Sequence, residues 1–227
     1  MATRANALAM MAKAPVPGQV KTRLLPAFTA EEAASFSRTL LVDQLNHLQE
    51  LDSTDFYLAF APGEAQSLME QITPSRFQLF PQRDGNLGAR MAAVFERLFQ
   101  RGHKNIVLIG GDLPPVPLGF LAEAYRFLES SNQCVVLGPS RDGGYYLVGS
   151  NRPTPEIFQR MTWSHSEVLA QTLERLNSLQ IDFHLLPSWF DIDTPDDLRH
   201  LQSVLDASLK KAMPNTAPLL RHLGLKK

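Results

Sequence analysis

The sequence predicts an α/β fold, a mostly parallel β-sheet with helices on both faces. Three observations predict it. Short apolar runs alternate along the chain with segments of helical periodicity. Some of those runs, Ile106 to Ile109 above all, are apolar without interruption, as strands buried on both faces must be. They also end in glycine, proline or aspartate, where open α/β sheets carry their ligand-binding loops.

The elements follow in order. "ALAMMA" (Ala7–Ala12) imitates a secretory leader, with Arg4 before it and small residues around Lys13. It is shorter than the usual ~7–15-residue apolar region and breaks at a lysine, so it is read as the first strand. A Pro/Gly/basic loop runs from Lys13 to Pro26. Thr29 with Glu32 three residues on is a capping-box signature. Behind it Ala33, Phe36, Leu40, Leu41, Leu45 and Leu48 recur at helical spacing. "DFYLAFA" (Asp55–Ala61) and "FQLFP" (Phe77–Pro81) are strands. Leu87, Met91, Val94 and Leu98 mark a helix that leads into the Ile106–Ile109 strand. Leu118, Leu121, Tyr125 and Leu128 mark the helix after it. "CVVLGP" and "YYLVGS" are strands flanking the loop Ser140–Gly144. Val168, Leu169, Leu173 and Leu176 predict a helix capped by Ser164 or Ser166. "DFHLLP" is the last strand, and Leu198, Leu201 and Leu205 mark the closing helix. One domain is expected over residues 1–209, with 210–227 a partly ordered appendage.

Composition narrows the function. The 227 residues are 44% hydrophobic and carry a net charge of -1, which suits one sizeable core and argues against a nucleic-acid or membrane-surface binder. No apolar stretch approaches the ~18–20 residues of a membrane span. The single Cys134 cannot form an internal disulfide, which fits a reducing cytoplasm. It sits in a strand-like run, a poor setting for a nucleophile.

Three loops carry chemistry. "KAPVPGQVKTRLLP" places Lys13, Gly18, Lys21 and Arg23 behind the first strand, a composition suited to phosphates, or else an ordinary solvated loop. "GQVKT" echoes a Walker A motif but has Val20 where glycine is required. "GGDLPPVP" delivers Asp112 at the end of a buried strand and stops the chain with prolines. "WFDIDTPDDL" supplies Asp191 and Asp193 just ahead of a helix capped by Thr194, with Pro195 at its first position. Asp112 meeting one of these would suit a hard divalent cation, since Mg²⁺ is typically held by one or two carboxylates plus substrate phosphates. Asp142 beside Gly143 and Gly144 is a candidate base or a turn former. Of Tyr145 and Tyr146 one should face the core and one a pocket. Trp163 is a stacking or packing residue, and His165 reads as surface.

Taken together and in order, "PGQVKTRL", "GNLGARM", "GGDLP", "DGGYYL" and "DIDTPDDL" resemble a bacterial GT-A-fold group named as glycosyltransferases, or radical-SAM/selenodomain-associated transferases. The chain is similar, more distantly, to molybdenum-cofactor and phospholactate guanylyltransferases. The resemblance covers roughly residues 7–205. It implies a GT-A (nucleotide-diphospho-sugar transferase) fold and a cytoplasmic transferase needing Mg²⁺ or Mn²⁺. Its partners would be a nucleotide or nucleotide-sugar and a small-molecule acceptor. By position, Lys13, Gly18, Lys21, Arg23, Gly88 and Arg90 would bind the nucleotide. Asp112 and Asp193 would hold the metal. Arg141, Asp142, Gly143, Gly144, Tyr145 and Trp163 would line the acceptor pocket. Lys21, Arg23, Asp112 and Asp142 would be catalytic. Glycosyltransferases of this fold usually carry Asp-x-Asp, whereas Leu113 and Pro114 follow Asp112, a pattern more typical of nucleotidyltransferases. Glycosyl transfer from a nucleoside diphosphate sugar is the first reading. Nucleotidyl transfer with release of pyrophosphate is the second, and a non-catalytic nucleotide-binding protein the third.

Overall fold

The strand β1 (Asn6–Lys13) lies near the centre of a seven-stranded sheet in a computed structural model that describes residues 3–25 and 27–222. The strand order is β3-β2-β1-β4-β6-β5-β7. β2 is Thr54–Ala61, β3 Phe77–Pro81 and β4 Asn105–Gly110. β5 is Cys134–Pro139, β6 Tyr145–Ser150 and β7 Asp182–Leu185. β1 pairs parallel with both β2 and β4, and β5 pairs parallel with β7. Only β6 is antiparallel to its neighbours. Ala7 to Met10 and Ile106 to Val107 are 0% exposed, the price of having helices above and below.

Two layers of helices cover the sheet. On one face α1 (Ala30–Leu48), α2 (Gln66–Ile72) and α4 (Leu118–Ser130) pack Leu41, Leu45, Met69 and Leu121 onto Leu8, Met10 and Leu58. On the other, α3 (Leu87–Gln100) and α5 (Val168–Ser178) pack Met91, Leu98 and Leu176 onto Ala7, Ala9, Tyr57 and Leu108. The capping box at Thr29 is present, with Thr29 and Glu32 each accepting from the other's backbone N–H. α6 (Pro195–Val204) starts as expected, with Thr194 as cap and Pro195 at its first position. The start of α5 differs. Glu167 is its N-cap and makes no side-chain bond, while Ser164 has a φ of 67° and turns away from the helix.

The expected C-terminal appendage also needs correction. Residues 207–222 form two more helices, α7 (Ala207–Ala212) and α8 (Thr216–His222). Leu209, Met213, Ala217 and Leu220 join Leu24, Phe28, Phe36 and Leu40 in a third apolar cluster. Met213 is 0% exposed. The buried Asp43 of α1 accepts from the backbone N–H groups of Asn215 and Thr216, so a full charge-assisted anchor ties this segment down. Residues 223–227 of the expected tail lie outside the described ones. Among the described residues, no helix is long and apolar enough to cross a membrane.

Candidate nucleotide cleft at the strand ends

β4 ends at Gly110, and Gly111 explains why the chain can then turn toward β1. A Cβ on Gly111 would stand 2.7 Å from that of Ala12, so only glycine lets the two strand ends approach so closely. Asp112 follows, half exposed, and the next residues are locked. Leu113 and Val116 are 0% exposed. The Val116 N–H donates to Gln44 of α1 at 3.1 Å and its carbonyl accepts from His47 at 3.1 Å. The Trp189 indole donates to the carbonyl of Pro114. A proline-rich loop pinned from three sides holds its aspartate at a fixed place.

The second carboxylate reaches that place along a backbone track. After β7 the chain crosses the strand ends, Leu186 donating to Leu137 and Trp189 to Pro139. The Ile192 N–H then donates to the carbonyl of Asp112 at 3.0 Å. This bond sets Asp191 and Asp193 on either side of the β4 exit. Asp112 and Asp193 share one partner. The ammonium of Lys21 contacts Oδ1 of Asp112 and lies 3.3 Å from Oδ1 of Asp193. A cation already sits between the two carboxylates, so the pair can share a cation. Two carboxylate oxygens are also a suitable protein contribution to a hard divalent ion.

Lys21 itself is not where the sequence puts it. Its side chain is 1% exposed, its backbone is left-handed (φ 50°), and it stands behind the carboxylates rather than in the cleft wall. The open cations are its neighbours. Lys13, Arg23 and Arg90 line a cleft of about 600 Å³ bounded by the exits of β1 and β4, the entry of β6 and the start of α3. The Arg90 Nε also donates to the carbonyl of Gly85, which fixes its direction.

The same cleft is lined by acids as well. Asp112, Asp142, Asp191 and Asp193 all border the cleft. Asp142 is exposed at the rim and accepts from the Gly144 N–H at 3.0 Å. It is therefore a turn former that keeps one oxygen free. Asp191 accepts from the Ser140 hydroxyl at 3.0 Å. Burial pushes its carboxyl up to about 6 against that hydrogen bond, and the charges of Asp142, Asp193 and Asp112 add to the rise. The resemblance gives Asp191 no role, yet it lies at the cleft with the Ser140 hydroxyl as its partner. The alternation of Asp-Ile-Asp on an extended segment, with buried Ile192 between, is the signal for it.

The remaining candidates divide. Gly144, Tyr145 and Trp163 are in the wall. Tyr145 meets the Trp163 ring edge-on at 6.4 Å, while Tyr146 is core and donates to the carbonyl of Pro187. Gly18, Gly88, Arg141 and Gly143 are not in the wall. Gly18 is an exposed turn residue with a φ of 75°. A Cβ on Gly88 would fall 2.6 Å from both the Trp163 ring and the Phe158 carbonyl, so this glycine serves packing. Gly143 is pressed against the backbone of Ser166, and Arg141 is exposed. His165 was expected at the surface but borders the cleft, with Nε2 donating to the carbonyl of Thr162 and Nδ1 accepting from the Glu167 N–H. Gln82, which no motif marked, also borders it and donates to the carbonyl of Ala59.

A mostly parallel sheet in this order, with the cleft across its carboxyl ends, is the GT-A-like fold of nucleotide-diphospho-sugar transferases. A family model described as "Uncharacterized protein conserved in bacteria (DUF2064)" matches residues 44–165, and the chain belongs to that family. A search of the curated proteins returns no match. A Desulfovibrio desulfuricans G20 protein, provisionally assigned as a nucleotide-diphospho-sugar transferase, is similar with 27% identity and a TM-score of 0.85. The match covers 97% of this chain and 99% of that one. The 4-diphosphocytidyl-2C-methyl-D-erythritol synthase of Anaerococcus prevotii shares the fold at 8% identity and a TM-score of 0.57, covering 95% and 96% of the two chains. A Mycobacterium tuberculosis H37Rv protein solved in complex with manganese shares it at 19% identity and a TM-score of 0.50, covering 89% and 100%.

Proposed function

We propose that this chain is a metal-dependent transferase that takes a nucleoside diphosphate sugar and passes the sugar to a small acceptor. The observation that carries this reading is one cleft at the strand ends lined by three cations and four carboxylates. Lys13, Arg23 and Arg90 suit a diphosphate, whose charge they offset as it grows on the leaving group. Asp142 and Asp191 suit hydroxyl groups, which donate to carboxylates. A phosphorylated or carboxylated acceptor beside Asp142 and Asp191 would instead meet like charges, and Arg141 is not among the residues that line the cleft.

Asp112 and Asp193 would hold Mg²⁺ or Mn²⁺, and such an ion, when bound, neutralises diphosphate oxygens. The free oxygen of Asp142 would take the acceptor's hydroxyl proton as the acceptor oxygen bonds to the anomeric carbon and the bond from that carbon to the departing diphosphate breaks. Tyr145 and Trp163 would present an apolar face to the sugar or base. Likeness to the Desulfovibrio protein supports the sugar substrate. Nucleotidyl transfer is the second reading, supported by the single Asp112 without Asp-x-Asp and by the shared fold of the Anaerococcus synthase. Incubation with NDP-sugars and with NTPs, each with Mn²⁺ or Mg²⁺, separates them. Slow release of free sugar, lost in Asp112→Asn and Asp193→Asn, is expected. Pyrophosphate from an NTP without sugar release would move the assignment to nucleotidyl transfer. Neither product from any nucleotide would leave a binding protein.

A further inference from the structure

The geometry points to Lys21 as an internal counter-cation that holds the Asp112–Asp193 pair closed to a free divalent ion. This rests on the reading of those two carboxylates as a cation site, and it concerns how the site is regulated. The Lys21 side chain is 1% exposed, whereas those of Asp112 and Asp193 are 48% and 47% exposed. The ammonium therefore approaches the carboxylates from the protein side, and their remaining oxygens face the cleft. It is held there by its own segment. Lys21 has left-handed backbone, its carbonyl accepts from the Leu24 N–H, and Val20 and Leu24 on either side are buried. An exposed lysine would drift away from such a pair, but this one has little room to leave.

The electrostatic consequence is direct. Two bare carboxylates carry two negative charges, and with Lys21 between them the trio carries one. A divalent ion entering from the cleft meets half the attracting charge and a like charge within a few ångströms, in a partly buried place where screening is weak. The phosphates of a substrate supply the missing negative charge, and Lys13, Arg23 and Arg90 are already in the wall to receive them. The cation thus enters with the phosphates and not before them. Arg23, two residues away in the same loop, shows what Lys21 would be without this arrangement, an exposed cation in the cleft wall.

Titration with Mn²⁺ alone, read by the loss of the free-ion electron paramagnetic resonance signal, tests this without turnover. Lys21→Gln, which keeps the length and loses the charge, should bind Mn²⁺ at least tenfold more tightly than the parent. Lys21→Arg should stay as weak as the parent, and Asp112→Asn on the Lys21→Gln background should lose the gain. Equal binding by parent and Lys21→Gln overturns the guard while leaving the two carboxylates a cation site. No uptake by either at any concentration overturns the cation site and the guard with it. Should Lys21→Gln fail to fold, Lys21→Met, which keeps the apolar stem and loses the ammonium, takes its place with the same expected gain, and Mn²⁺ binding equal to the parent's overturns the guard.

Discussion

The two ends of strands β1 and β4 are built from similar polar residues and treat them in opposite ways. At the amino end the buried polar groups pair with one another. His103, 3% exposed, donates from Nδ1 to the carbonyl of Arg4 and accepts at Nε2 from the Tyr57 hydroxyl, both at 2.8 Å. Asn105 donates to Asn6 across the strand pair, and Arg4 pairs with Asp55. At the carboxyl end the charges do not cancel. Lys21 serves two aspartates, burial raises the Asp191 carboxyl to about 6, and Lys13 and Arg23 have no carboxylate partner among the described residues. One end is spent on stability. The other keeps charge in reserve for a ligand, and that difference locates the site more surely than any single motif.

Substitutions can break the contrast. The largest effect is expected for Asp112→Asn, a fall in metal-dependent turnover of about 100-fold or more, the scale of losing one main electrostatic group. Its melting temperature should hardly move, because Lys21 keeps Asp193. A variant that turned over like the parent would make Asp112 a turn residue. Next comes Asp191→Asn, which should stabilise the protein by roughly 1–3 kcal/mol at pH 7.5. The sign follows from the raised pKa. The folded carboxyl binds its proton up to about pH 6, and the unfolded one releases it near 3.8, so the parent loses stability as pH rises between the two. The gain should vanish below pH 4, and a urea midpoint gap unchanged between pH 4 and 7.5 would contradict it.

Arg23→Ala should weaken nucleotide binding by about 1–3 kcal/mol, one charge-assisted hydrogen bond, with unaltered stability. Isothermal titration and a thermal melt on the same sample check both halves of that statement. The smallest functional effect belongs to the amino end. Tyr57→Phe removes the donor to His103 and should cost about 1–3 kcal/mol of stability, read by urea unfolding, with nucleotide affinity unmoved. A change in affinity there would erase the distinction between the two ends.

Most of the fold is legible in the sequence because each long element carries a complete signal. The Thr29 and Thr194 caps, the unbroken strands and the leucine spacings of α1, α3 and α4 all recur in the structure. The short elements escape. α2 buries only Met69 and Ile72, too few for a period to emerge. The helices after Leu205 are divided by Pro214 and interrupted by Pro218, so their apolar residues look scattered until α1 gathers them. Strand direction is not encoded in apolar content at all, which hides the reversal of β6. At the site, residue types were readable and their orientations were not. Lys21 and Arg23 look alike in "VKTRL", but a left-handed backbone at Lys21 sends its side chain inward. Gly88 looks like a phosphate glycine, and only the Trp163 ring above it reveals a packing one.

The reversed strand β6 has a consequence for how such a protein can change. A parallel strand can place only its exit at the cleft. β6 enters there, so β5, the loop Ser140–Gly144 and β6 form one hairpin whose tip brings Asp142 and Gly144 to the cleft. A hairpin tip can be lengthened, shortened or rewritten with its stems intact, and none of the three open cations lies on it. On the proposed reading, the loop beside the acceptor and the cations that receive the donor phosphates lie on separate pieces of chain, so either could change while the other is kept.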